Sequence, residues 1–149
     1  MKKLLIIPIS LLIIALSGCE IITGEYKEGT YFGYAYDEDY DTYATAIIYV
    51  NEAGIIKSVF IDSTYINKTK SLTTPSTKKI EGDDYNMKKY SNATLEWYLQ
   101  AEKIEEYILE HQSFDIELND SGKTDAVSGA RISLTAIDKA VKNALGQAK

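Results

Sequence analysis

Thr42-Tyr43-Ala44-Thr45-Ala46-Ile47-Ile48-Tyr49-Val50, followed by Asn51-Glu52-Ala53-Gly54 and by Ile55 to Ile66, is the stretch that decides the fold class. Its first run is rich in β-branched and aromatic residues, which suit a pleated, half-buried surface, so it reads as a strand. Asn51 to Gly54 is a compact turn in which Gly54 can take a positive φ. The next run alternates only in part. Ile56, Ser58 and Phe60 share one face, and Ile55, Val59 and Ile61 are shifted by a local break at Lys57. Two strands joined by so short a turn form an antiparallel meander.

Upstream, Gly29-Thr30-Tyr31-Phe32-Gly33-Tyr34-Ala35-Tyr36 reads as an earlier strand, separated from the meander by the acidic break Asp37 to Asp41. Downstream, Lys68 to Ser91 is long, polar and irregular, and loops of that length inside a domain carry function or lack order. Asn92 to His111 is a helix: Leu95, Trp97, Tyr98, Ala101, Ile104 and Tyr107 or Ile108 recur at three and four. Ser91 or Asn92 is placed to cap it, and Glu102, Glu105, Glu106 and Glu110 line its solvated face. Phe114 to Leu118 alternates as a short strand would, and Asn119 to Gly122 is a turn. Leu134, Ile137, Val141 and Leu145, with Ala140, Ala144 and Ala148, make a final amphipathic helix. The expected architecture is one α+β domain: an antiparallel sheet of about four to five strands with two main helices packed on it.

The N-terminus reads as a targeting segment. Lys2 and Lys3 precede the apolar run Leu4 to Leu16, which closes on Leu16-Ser17-Gly18-Cys19. That run is short of the roughly 20 apolar residues a spanning helix needs, and it ends on small residues as a cleavage site does. Leu-Ser-Gly-Cys resembles the bacterial lipobox, in which Cys19 carries lipid and becomes the first mature residue; an uncleaved anchor helix is the alternative. Either form tethers the domain to a membrane face outside the cytoplasm. The expected division is a leader at 1–18, a tether at 19–28 and the domain at 29–149. Cys19 is the only cysteine, so an internal disulfide is excluded. The formal charge is −6, or −8 once Lys2 and Lys3 leave with the leader. With no basic stripe, this argues against nucleic acid as a partner. Tyrosine is abundant, twelve against three Phe and one Trp, and suits strand faces with an apolar ring and a wet hydroxyl.

The chemistry concentrates in Asp125-Ala126-Val127-Ser128-Gly129-Ala130-Arg131-Ile132-Ser133, immediately before the final helix. A small-residue bend at a helix start turns unpaired N–H groups toward one point, and the helix dipole adds to them. Gly129 lets an anion approach the backbone. The bend is therefore a candidate phosphate seat. This stretch resembles the Asp-x-x-Ser/Thr-Gly-Ala-Thr motif of the extracytoplasmic FMN-binding domain family, which includes flavin subunits of sodium-pumping and related membrane reductases and small flavinylated lipoproteins. The likeness extends over about Tyr26 to Ala148, including the Gly29-Thr30-Tyr31 opening and the Asp83-Asp84-Tyr85-Asn86-Met87-Lys88 loop.

The resemblance implies FMN as cofactor, electron transfer as function, and a membrane flavoprotein or quinol-linked system as electron donor. It implies a carrier more than an enzyme with its own substrate. In the family a transferase attaches FMN through its phosphate to the Thr after Ala. Arg131 stands at that position, and a guanidinium forms no phosphoester. Three outcomes stay open: Arg131 binds the phosphate of a non-covalent FMN; Ser133 replaces the acceptor; or flavin has been lost and the chain is a binding or assembly module. Asp125, Ser128, Gly129, Ala130, Arg131 and Ser133 are the expected phosphate-side residues, with Tyr85 and Met87 as ring walls. Asp125 is expected to brace the bend or Arg131. Lys78 and Lys79 read as a solvated pair, with compensation of the negative charge of FMN or its reduced form the sharper alternative. Trp97 and Tyr98 read as helix packing. His111 lacks the companions a metal site needs, and Asp37 to Asp41 lacks the spacing of a calcium loop, so no metal is expected.

Overall fold

The computed structural model describes residues 23–65 and 76–149. Cys19, the leader and Lys68 to Pro75 of the long loop lie outside the described residues. Four strands, β1 (Gly29–Asp37), β2 (Thr42–Val50), β3 (Ile56–Tyr65) and β4 (Ser76–Thr77), form one antiparallel sheet in sequence order. Short helices α1 (Lys78–Glu81) and α2 (Met87–Tyr90) flank a 3-10 turn at Gly82–Tyr85, and two long helices follow, α3 (Trp97–His111) and α4 (Thr135–Gln147). This is the expected α+β architecture.

The meander forms because its alternation is genuine. Ala44, Ala46, Ile48 and Val50 of β2 turn into the core, beside Ile56, Val59 and Ile61 of β3. Lys57 is where the register slips: Tyr49 pairs with Ser58 and Val50 with Ile56, leaving Lys57 as the extra residue of a bulge. The bulge moves Ile56 onto the same face as Val59 and Ile61, whereas unbroken alternation would group it with Phe60. The opposite face is open. Phe32, Tyr34, Tyr36, Tyr43, Tyr49 and Phe60 lie there, each 40–58 % exposed, which is where much of the tyrosine goes.

Helix α4 covers the inner face of β1 and β2. Its Ala136, Ala140 and Ala144, and Ala148 just past its end, are buried, and their small side chains let helix and sheet come close. Closest approach is at Gly33, where a Cβ would lie 2.0 Å from the Ala140 carbonyl oxygen and 2.7 Å from the Ala144 nitrogen. The two helices also close the sheet's edges. Asn143 Nδ2 donates to the Tyr34 carbonyl at 3.1 Å and Gln147 Nε2 to the Phe32 carbonyl at 2.8 Å. On the other side, the Ile56 amide donates to Gln112 Oε1 at 2.7 Å and the Ile61 amide to Glu105 Oε1 at 2.6 Å. Backbone groups that would otherwise recruit another strand are thereby filled.

Several expectations need correcting. Phe114 and Ile116 are buried, but Phe114 to Leu118 forms no strand, since helix side chains occupy the sheet edges it would need. α3 starts at Trp97, five residues after Asn92, and neither Ser91 nor Asn92 caps it. Glu105 is not solvated: it holds the Ile61 amide and pairs with Lys79. The fold also reaches upstream of Gly29, because Tyr26 is 7 % exposed and Lys27 donates its amide to the Ala148 carbonyl at 2.7 Å.

Gly33→Ala should lower unfolding free energy by about 1–3 kcal/mol, because the new methyl meets backbone atoms of α4 that only a helix shift can clear. Denaturant melts of parent and variant would read it; equal midpoints would contradict the close helix–sheet contact.

Candidate functional site

The Ser128-Gly129 bend is a tight turn. The Ala130 amide donates to the Val127 carbonyl at 3.2 Å, and Gly129 takes φ +87°, the positive φ a type II turn demands at its third residue. The bend does not open a helix, as the sequence suggested. α4 begins only at Thr135, and the intervening residues carry Ile132 and Leu134 into the core.

Nor are all the bend's amides open. Gln100, on α3 and 1 % exposed, accepts from the Arg131 amide at 2.7 Å and the Ile132 amide at 3.1 Å through the same Oε1. Its Nε2 donates to the Leu95 carbonyl at 2.9 Å and lies 3.4 Å from the Met87 sulfur. One buried amide thus ties together the bend, the start of α3 and the Met87 loop. One helical turn earlier, the buried Glu96 carboxylate accepts the Met87 amide at 2.8 Å and the Lys88 amide at 3.4 Å, fixing the start of α2.

Between these tied elements lies a cleft of about 680 Å³, within the range of small-molecule and cofactor sites. Tyr40, Tyr85, Met87 and Trp97 supply apolar and aromatic wall. Gly129, Arg131 and Ser133 of the bend line it as well, together with Lys78, Lys123 and Asp37. Three cations against one carboxylate is a positive lining in a chain of net charge −6. Ser133 and Ile137 flank the first residue of α4, so the positive end of that helix borders the cleft.

Lys78 is its most unusual side chain. It is 6 % exposed, and its ammonium lies over the rings of Trp97, Tyr40 and Tyr85 at 5.2, 5.4 and 5.6 Å. It has no ion-pair or hydrogen-bond partner among the described residues. Burial pulls its pKa below the usual lysine value, while Asp37 and Asp62 act in the other direction. Its neighbour Lys79 has the opposite environment, paired with Glu105 and 4.3 Å above the Phe60 ring. Reading the two as a solvated pair is corrected for both. Burial also pushes the Tyr85 hydroxyl above the ordinary tyrosine range, so it stays protonated, and its ring meets Tyr65 edge-on at 5.1 Å.

Of the residues singled out from sequence, Tyr85, Met87, Gly129, Arg131 and Ser133 come together around this one cleft. Ser128 is exposed and Ala130 is buried in the core. Asp125 is exposed and bonds neither the bend nor Arg131 among the described residues; the nearby Ala126 amide is held by Thr124 Oγ1 at 3.1 Å. Lys78, Trp97, Tyr40 and Lys123 were missed or assigned elsewhere. Gln100 had a legible signal: it falls on the buried stripe of α3 with Trp97, Ala101, Ile104 and Ile108, where a polar residue needs buried partners. No group of acidic, His or Cys side chains suited to a metal occurs among the described residues. No protein-family model matches this chain, and no curated protein or solved structure matches it.

Gln100→Leu should cost about 2–3 kcal/mol by stranding two amides, read as a lowered denaturation midpoint; an unchanged midpoint would contradict the clamp. The depressed pKa of Lys78 has a defined sign. Its folded form binds its proton less tightly than the unfolded chain does, so the stability of the parent relative to Lys78→Met should rise as pH climbs from neutral toward 10.5. Denaturant melts of both proteins across that window read this, and a flat or falling difference would contradict the burial.

Proposed function

We propose that this chain is an extracytoplasmic, lipid-anchored protein that binds FMN without a covalent bond and carries electrons. The observation that carries the reading is the cleft itself: aromatic and thioether side chains, three cations and the positive end of a long helix all border it. A planar tricycle with an anionic tail matches that lining. Because Gln100 holds the Arg131 and Ile132 amides, recognition of the phosphate falls to side chains. Arg131 suits it best, because a guanidinium meets phosphate with two parallel bonds and always carries charge. The flavin would supply the redox chemistry, and the chain would supply position and electrostatics.

Lipidation at Cys19, attachment to the cell membrane and donation from a membrane flavoprotein or quinol-linked system belong to the same proposal. They rest on the Leu-Ser-Gly-Cys sequence and the resemblance of the bend. Among the described residues no helix is long and apolar enough to cross a membrane.

A second reading, a flavin-less lipoprotein serving as a binding or assembly module, is favoured by the filled amides of the bend and by the open aromatic face of the sheet. Colour separates the two. Protein purified from its native source should show flavin absorption that leaves with the denatured supernatant, with no fluorescent band on a denaturing gel. Lack of flavin as isolated, together with no binding of added FMN, would reject the proposal.

Arg131→Ala should weaken FMN binding about tenfold or more while leaving riboflavin, which lacks the phosphate, nearly unchanged. Fluorescence titration with both ligands checks this, and equal losses would remove Arg131 from the phosphate. Arg131→Thr, expressed beside an active flavin transferase, should gain a covalent fluorescent label, and Ser133→Ala should leave flavin content unaltered.

A further inference from the structure

The Lys78 ammonium is buried against three rings and joins no ion pair among the described residues. Lys79, the next residue, is anchored twice, by its amide to Asp62 Oδ1 at 3.1 Å and by its ammonium to Glu105. These contacts, with Thr77 Oγ1 accepting the Ile80 amide at 3.3 Å, fix α1 and therefore the point from which Lys78 projects. Lys78 lines the cleft almost fully buried, faced by three ring surfaces and by no carboxylate within ion-pair reach among the described residues. A buried ammonium with no carboxylate in contact is costly, and Asp37 and Asp62 compensate it only from beyond ion-pair distance. Aromatic faces offset part of that cost, and an anion arriving in the cleft would offset more. Lys78 shares its wall with Tyr85 and Trp97, the flat surfaces on which a ring system would stack, whereas Arg131 lies on the bend side.

We propose that Lys78 is the ligand-binding cation for the ring portion of the ligand, meeting the negative charge that an isoalloxazine gains on reduction and so favouring the reduced flavin. The proposal rests on the flavin reading above. Reduction adds two electrons and one proton to the ring, the proton going to N5, and leaves a monoanion spread over N1 and the C2 carbonyl. The electrons come from a two-electron donor, dithionite in the test below. Lys78 exchanges no electrons; it supplies a fixed positive charge that interacts more strongly with the product of that step than with the neutral oxidised ring.

The test compares the full chain with Lys78→Met and Lys78→Arg, each checked for folding by thermal melt and loaded with FMN. Affinity for oxidised FMN is measured by fluorescence quenching, and the midpoint potential by spectroelectrochemical titration with dithionite. Lys78→Met should lose about tenfold or more in affinity for reduced FMN while its affinity for oxidised FMN changes less than about threefold. That selective loss appears as a potential lowered by about 30 mV per tenfold for a two-electron couple. Lys78→Arg should restore most of the difference, which a purely packing role would not predict. FMN binding with a potential unchanged in Lys78→Met overturns this assignment alone. Failure of the parent chain to bind FMN overturns the flavin reading and this inference with it.

Discussion

Gln100 is the constraint on which the arrangement of the cleft depends. Its side-chain oxygen accepts two successive amides of the bend, and its nitrogen reaches Leu95, two residues before α3, and the Met87 sulfur. Nothing else described joins these three segments so directly. The bend lies 31 residues away from Gln100 in sequence, and without this clamp it would be a surface turn free to adjust. With it, Arg131 is held by its own backbone at the rim of an aromatic pocket. The same bond has a consequence for recognition. The Arg131 and Ile132 amides, which an open bend would turn outward, are committed to the protein, so under the proposed reading a phosphate would be met by side chains, Arg131 first.

The cleft and the rest of the molecule treat charge differently. Away from the cleft the half-buried Lys79 is matched by Glu105, surface pairs join Lys103 to Glu106 and Lys142 to Asp138, and Lys57, Lys88, Lys89 and Lys139 stay in solvent. Polar backbone at the sheet edges is matched too, by Gln112 and Glu105 on one side and by Asn143 and Gln147 on the other. In the cleft Lys78 is buried with no carboxylate in ion-pair contact among the described residues. A fold that satisfies its edges so thoroughly and leaves cations open in one concave place concentrates its binding capacity there.

Much of the fold was legible because the strongest signals are periodic. β2 has the bounds its β-branched run suggests, and Ala140, Val141, Ala144, Leu145 and Ala148 of α4 are buried as their spacing implies. The break at Lys57 was legible as a break, though its effect on Ile56 required the register. Two kinds of information were not in local pattern. The alternation of Phe114 to Leu118 reports burial on one side but not whether a strand edge is free to receive it. The glutamates of α3 look alike in sequence, yet Glu105 faces the β3 edge while Glu106 meets Lys103 on the surface. For the site, the motif located Gly129, Arg131 and Ser133, and loop similarity located Tyr85 and Met87. Lys78 was named from sequence with charge compensation as its second reading, but its burial was not legible, being produced by three rings from the β1–β2 turn, the 3-10 segment and α3 meeting in space.

The account stands on one placement, an anionic aromatic ligand seated in the cleft beside the bend. Amide chemical shifts of the isotope-labelled chain during titration with FMN test it most directly. The predicted result is saturable shifts clustered at Lys78, Tyr85, Met87, Trp97 and Gly129 to Ser133. Shifts confined to the open aromatic face around Phe32, Tyr43 and Phe60, or none at saturating ligand, would contradict it.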